Sequence, residues 1–315
     1  MDSLKKKFIE TFDLGSDPEK QKAIFETDGP TLIIAGPGTG KTYVLVLRIL
    51  YLILSGKAKP NEIILTTFTE KSAFELRDRL SLFSKRLGEK VNLHELLTGT
   101  IHSICDKFNT KYIKNTLLKK NYTVLDELTC SLFINEYFND IVEPYYDGER
   151  YFGKWKSKWD TIQKIIVFFN KITEELIDPD LLVNSKDDFL VSLSNSYKTY
   201  RSLLIEHNRV DFSFQQRVFY DLLQINSIRS KISGTIKYLL IDEYQDTNFI
   251  QEQIALALVK PHYNLTVVGD EDQLNPTKRQ LFMPPTVSNH SIRILHKRKF
   301  PYIRTFVYLC IEKRK

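Results

Sequence analysis

The chain has 315 residues, 42% of them hydrophobic and 27% charged, with a net charge of +6. That is the balance of a soluble globular protein with room for two domains, and no apolar run reaches the ~18 residues of a membrane helix. Its three cysteines, Cys105, Cys130 and Cys310, stand too far apart for a paired-cysteine zinc or iron–sulfur motif and read as reduced thiols of a cytosolic protein. The six histidines show no metal-binding spacing, and Lys5, Lys6 and Lys7 are followed by no apolar run of the signal-peptide kind. The positive charge is local. From Glu271 to Lys315 there are 10 Lys/Arg against 3 Asp/Glu, while the preceding 270 residues carry 35 against 36, so composition alone does not define a nucleic-acid surface.

In chain order, Thr31 to Ala35 predicts a strand and Thr42 to Leu54 a helix, an apolar stretch interrupted by Arg48. Glu62 to Thr66 predicts a second strand and Glu70 to Phe83 a second helix. From 106 to 209 the pattern turns helical: Ile162, Ile165, Ile166, Phe169, Ile172 and Leu176 recur at helical spacing, and Asn195 to Asn208 also reads as helix. Tyr238 to Ile241 and Asn264 to Val268 are short apolar runs ending in Asp-Glu and Gly-Asp. This order predicts an α/β fold with a parallel sheet, ligand at the strand C-terminal ends, and a helical insertion.

Two segments carry chemistry. Ala35-Gly36-Pro37-Gly38-Thr39-Gly40-Lys41-Thr42 follows the first strand and opens a helix. Glycines there let backbone N–H groups close round phosphate oxygens, Lys41 reaches the β- and γ-phosphates, and the Thr42 hydroxyl ligates Mg²⁺. Asp242 and Glu243 follow a buried strand, where two carboxylates are costly without a task. Asp242 is the expected Mg²⁺ ligand and Glu243 the group that orients and deprotonates an attacking water. Together they predict a nucleoside triphosphate site.

With Asp242-Glu243-Tyr244-Gln245-Asp246-Thr247-Asn248 beside that glycine loop, the chain resembles the N-terminal, ATP-binding half of a UvrD/Rep-type superfamily 1 DNA helicase. Ala35 in place of the first loop glycine is common in that family. The resemblance implies a RecA-like P-loop NTPase sheet formed by residues 1–105 and 210–273, a helical insertion subdomain at 106–209, and a divergent basic tail at 274–315. It implies that Gln21 reads the adenine edge and that Gln273, in Val267-Val268-Gly269-Asp270-Glu271-Asp272-Gln273, senses the γ-phosphate. It places single-stranded DNA along Thr69 and Lys71, in Thr66-Thr67-Phe68-Thr69-Glu70-Lys71-Ser72-Ala73, and at His102, in Gly99-Thr100-Ile101-His102-Ser103. Asp211, in Val210-Asp211-Phe212, is expected to be structural. The rings and cations between Pro144 and Trp159 read first as a loop packed on its own domain and second as a stacking surface for DNA.

The match stops after Gln273: Leu274-Asn275-Pro276-Thr277-Lys278-Arg279-Gln280 stands where the family carries an aromatic and its Arg-Gly partner. The remaining length leaves no room for the family's second domain with its arginine fingers, so the ending reads as divergent or out of frame. The expected function is that of an ATP-dependent DNA helicase or translocase, with weak unwinding at most unless a second helicase domain or partner protein completes it. The alternative is a non-catalytic module that holds Mg·ATP and DNA.

Overall fold

The structure is a computed structural model of the chain that describes residues 3–36, 38–142, 145–260, 262–270 and the backbone of 305–309. The first elements are α1 (Ser3–Thr11), α2 (Pro18–Phe25), β1 (Thr31–Ala35), α3 (Lys41–Leu54), β2 (Ile63–Thr67), α4 (Glu70–Arg86), β3 (Leu97–Thr100) and α5 (Ile101–Lys111). Then come β4 (Thr123–Leu125), α6 (Glu127–Glu136), α7 (Phe138–Val142), α8 (Lys158–Glu174), α9 (Pro179–Val183), α10 (Asp188–Glu206), β5 (Arg209–Asp211) and α11 (Phe212–Gln224). The chain continues through α12 (Asn226–Thr235), β6 (Tyr238–Ile241), α13 (Phe249–Val259), β7 (Leu265–Gly269) and β8 (Thr305–Leu309).

The chain divides into two compact units. One comprises Met1–Ile104, Ser227–Thr247 and Ala255–Lys315, the other Cys105–Asn226 and Asn248–Ile254. The first is α/β. Its sheet runs β3-β2-β6-β7-β1-β8 with every neighbouring pair parallel. β1 and β2 are consecutive strands of this sheet but lie apart, with β6 and β7 between them. That reversal of order opens a crevice at the strand C-terminal ends. β2, β6 and β7 are buried at every position, as a parallel sheet covered on both faces requires.

α3 is buried from Val44 to Leu52, all round its circumference. Arg48 lies inside that stretch, fully buried, and explains the break in the apolar run. Its guanidinium donates to the carbonyls of Ala23 (2.5 Å) and Glu26 (2.7 Å) and to Thr31 Oγ1 (3.0 Å). Burial lowers its pKa to about 10, so it stays charged and ties the end of α2 and the start of β1 to α3.

The second unit is mainly helical with a two-stranded parallel β4–β5 sheet. Its core joins Phe133, Ile134, Ile162, Ile165, Phe169, Tyr197, Tyr200 and Leu204. Asp211 caps α11, accepting from Phe214 N at 2.6 Å and from the Tyr200 hydroxyl at 2.6 Å. Residues 210–226, expected with the sheet, cluster with this unit because β5 pairs with β4 and Phe214 and Val218 join its core. The rings of the 145–159 segment pack here too. Phe152 is buried, Tyr151 and Trp155 lie against the core, and Lys154 Nζ stands 3.4 Å from the Phe189 ring centroid. Tyr146 and Trp159 remain exposed.

The tail, expected to be a divergent basic segment, contributes β8, which pairs with β1 in the register Thr31↔Thr305 to Ala35↔Leu309. The other residues of 274–315 lie outside the described residues. No described helix is long and apolar enough to cross a membrane.

Candidate functional site

The glycine loop joins β1 to α3. Gly38 and Gly40 take left-handed backbone angles, φ +76° and +90°, that side chains disfavour, and Gly40 is the N-cap of α3. Thr39 braces the turn from inside. Its hydroxyl donates to Gly36 O at 2.8 Å and its N–H to the same carbonyl at 3.3 Å. Lys41 and Thr42 therefore stand in the first turn of α3, where orphan N–H groups and the helix dipole favour an anion. Pro37 lies outside the described residues.

The acidic pair ends β6. Asp242 N donates to Thr66 O of neighbouring β2 at 2.9 Å, which aligns the two strand ends. Glu243 sits at φ +53° and ψ +47°, a conformation costly for a residue with a Cβ and characteristic of functional turns. Glu243 N donates to Asp242 Oδ1 at 3.1 Å. Gln245 Nε2 donates to Glu243 Oε2 at 2.6 Å, and Gln245 Oε1 accepts from Asp270 N at 3.3 Å. Gln245 thus links the ends of β6 and β7.

Sheet order explains how segments 201 positions apart meet. β7 lies between β1 and β6, so the Gly269-Asp270 end is flanked by the glycine loop on one side and the acidic pair on the other. Lys41 Nζ reaches 3.8 Å from Glu243 Oε2 and 3.9 Å from Asp270 Oδ2. Both separations are loose for ion pairs, so the ammonium lies between two carboxylates with its donors not fully engaged. Burial, and then the charge of Glu243, push the Asp242 carboxyl up to about 6, while Lys41 pulls the other way. An acid held that high by desolvation gains when a cation reaches it. Gln245 and Asp270 stand inside the two sequence motifs, where local pattern assigns them no role. The signal available was their position at strand ends, but only the strand order gives them partners.

The other expected residues are placed as follows. Gln21 lies on α2, half-buried, its amide nitrogen donating to Leu14 O at 2.8 Å. Thr69 caps α4, accepting from Ser72 N at 3.1 Å, and Lys71 is exposed in the first turn. His102 opens α5 half-buried, and burial lowers its pKa, so it is neutral at pH 7. Phe68, between Thr67 and Thr69, is 67% exposed, a ring that had no role in the sequence reading. Gln273 lies outside the described residues. Among the described residues no group of three or more His, Cys, Asp or Glu could hold a metal by itself.

A parallel sheet of this order, with a glycine loop after β1 and an Asp-Glu pair after β6, has the make-up of a P-loop helicase domain. Comparison with known families bears this out: the UvrD/REP helicase N-terminal domain matches residues 16–274, and the chain belongs to that family. Similar proteins include the ATP-dependent DNA helicase SRS2 of Saccharomyces cerevisiae, 33% identical over 274 residues, covering 81% of this chain and 22% of that protein. The ATP-dependent DNA helicase Rep of Buchnera aphidicola subsp. Baizongia pistaciae is 30% identical, covering 91% of this chain and 39% of that protein. The ATP-dependent DNA helicase PcrA of Leuconostoc citreum is 29% identical, covering 84% and 34%. The chain thus spans between 22% and 39% of the length of these relatives.

Proposed function

We propose that the chain is the Mg·ATP-binding part of a UvrD/Rep-type DNA helicase or translocase and that it contacts single-stranded DNA beside the nucleotide. The observation that carries this reading is the meeting of Lys41 with Glu243 and Asp270 at three adjoining strand ends. The residues fit the nucleotide. Gly36, Gly38, Thr39 and Gly40 shape the phosphate cradle, and Lys41 neutralises the terminal phosphates. Thr42 and Asp242 would hold Mg²⁺, a hard cation that prefers such oxygen donors. When bound, that ion neutralises charge building on the transferred phosphoryl group. Glu243, held by the Gln245 amide, orients a water and takes its proton. Gln273 serves as the γ-phosphate contact, and Gln21 keeps its side-chain oxygen and one amide hydrogen for the adenine edge.

DNA lies across the starts of α4 and α5. Thr69 and the first-turn N–H groups meet phosphates, Lys71 adds charge, Phe68 offers a stacking face, and His102 contributes a neutral ring. Unwinding needs two domains that close and open on the strand, and an arginine finger contributes ~10³–10⁵ in phosphoryl-transfer rate. Full activity therefore draws on a second helicase domain or a partner protein.

ATPase activity of the purified chain with and without single-stranded DNA tests this. DNA-stimulated hydrolysis, absent in Glu243→Gln with nucleotide binding retained, is the expected result. Intact Mg·ATP affinity with no turnover under either condition would favour the alternative, a module that holds ATP and DNA without catalysis. No nucleotide binding at all would refute both.

A further inference from the structure

We infer that Glu70 is a positioning residue that fixes the two candidate DNA-contacting segments, Thr69–Lys71 and Thr100–His102, against each other. The inference rests on the DNA-binding reading above. Glu70 is the first residue of α4, yet its carboxylate turns to the start of α5. Its Oε1 accepts from Thr100 Oγ1 at 3.0 Å and from Thr100 N at 3.3 Å. The Thr100 hydroxyl has one proton. Giving it to Glu70 leaves its lone pairs for Ser103 N, which donates at 3.2 Å and so caps α5. Ser103 Oγ closes the turn by donating to Thr100 O at 2.9 Å. One carboxylate therefore sets the hydroxyl orientation on which the α5 cap depends.

The junction is built closely. A Cβ on Gly99 would lie 2.2 Å from Ser103 Oγ and 3.9 Å from Glu70 Oε1, so only glycine fits without displacing that serine. Beneath it, the parallel register Thr66↔Gly99 and Thr67↔Thr100 brings the ends of β2 and β3 level. Thr67 Oγ1 donates to Thr69 O at 2.8 Å, holding the other approach. The strands are ~4.8 Å apart, and Glu70 bridges the two helix starts that follow them.

The sign of the charge separates positioning from affinity. A carboxylate between two phosphate-facing helix starts repels a nucleic-acid strand, so a residue present for attraction would be neutral or basic here. Glu70 acts as an acceptor of two hydrogen bonds, a role that glutamine fills with its own Oε1 and alanine does not.

The test compares Glu70→Gln with Glu70→Ala in binding of fluorescein-labelled oligodeoxythymidine, followed by anisotropy over a series of salt concentrations. Both variants lose the same charge, so any difference between them reports the bridge. The expected result is Glu70→Gln at or above the unaltered chain's affinity and Glu70→Ala weaker than Glu70→Gln by about 5-fold, close to the loss of one net hydrogen bond. Thr100→Val should reproduce the alanine effect and add nothing to it in the double variant. ATP affinity should be unchanged in all of them, and the melting temperature unchanged in Glu70→Gln but lowered by a few degrees in Thr100→Val, which removes the α5 cap itself. Equal affinities for Glu70→Gln and Glu70→Ala, both tighter than the unaltered chain, would mean that the residue is only a charge and would overturn the inference alone. Failure of the unaltered chain to bind the oligonucleotide would overturn the inference together with the DNA-binding reading, and the nucleotide reading would stand or fall on its own assay.

Discussion

Asp242 is where a single residue shows the conflict between folding and ligand binding. Buried at a strand end, its carboxyl titrates near 6 where an unfolded chain titrates near 3.8. The folded chain therefore holds the proton more tightly than the unfolded one. Between about pH 4 and pH 6 the native state binds more protons, so stability falls as pH rises through that window, and the penalty is complete above it. In metal-free buffer Asp242→Asn should thus stabilise the protein by on the order of 1–3 kcal/mol at pH 7 and by nearly nothing at pH 4. Chemical denaturation at the two pH values, with a chelator present, checks this. Equal gains at both would show that the acid is not held protonated by its surroundings. The residue types at this site were legible in the sequence because glycine loops and strand-end acids have few other uses. What pattern could not supply was Gln245, whose amide steadies Glu243, and Arg48, which looks like a flaw in an apolar helix until its three acceptors are seen.

At the level of elements, the strands and helices near the nucleotide follow from local signals. β1, β2, β6 and β7 are short segments dominated by apolar residues, and α3 and α4 begin at a glycine loop and a threonine cap. The helical unit was harder to bound. β4 and β5 have three residues each, too few for a readable alternation, and they pair across a long stretch of sequence. Their pairing carries α11 into the helical unit, so the return to the sheet falls at Ser227 and not at 210. Asp211 holds this corner. It caps α11, accepts from Tyr200, and Tyr200 in turn meets Cys130 Sγ at 3.1 Å. Asp211→Ala removes a cap, worth ~0.5–2 kcal/mol, and leaves the buried Tyr200 hydroxyl only the weak sulfur partner, at a further cost of ~1–3 kcal/mol. A loss of about 2–4 kcal/mol is expected in urea denaturation, with Asp211→Asn retaining most of the stability because an amide oxygen still caps. A loss below 0.5 kcal/mol for the alanine variant would mean that the corner is held by apolar packing alone.

For the whole molecule, the account rests on strand order. Placing β7 between β1 and β6 lets one lysine answer two acids that sequence separates widely, and the same order opens the crevice above them. Motif content made the family readable, but the order β3-β2-β6-β7-β1-β8 is a long-range property that no local window encodes. The ring-rich segment from Pro144 to Trp159, read first as packed on its own domain and second as a DNA surface, shows the same limit. Interleaved rings and cations read alike in either role, and only packing assigns most of them to the core of the helical unit.

The most direct test is calorimetric titration of the purified chain with ATP, with and without Mg²⁺, for the unaltered protein, Lys41→Ala and Asp242→Asn. The account predicts tighter binding with Mg²⁺, a loss of roughly 10- to 100-fold in both conditions for Lys41→Ala, and a selective loss of the Mg²⁺ enhancement for Asp242→Asn. Unchanged affinity in Lys41→Ala, or a full Mg²⁺ enhancement in Asp242→Asn, would show that the two segments do not share one nucleotide.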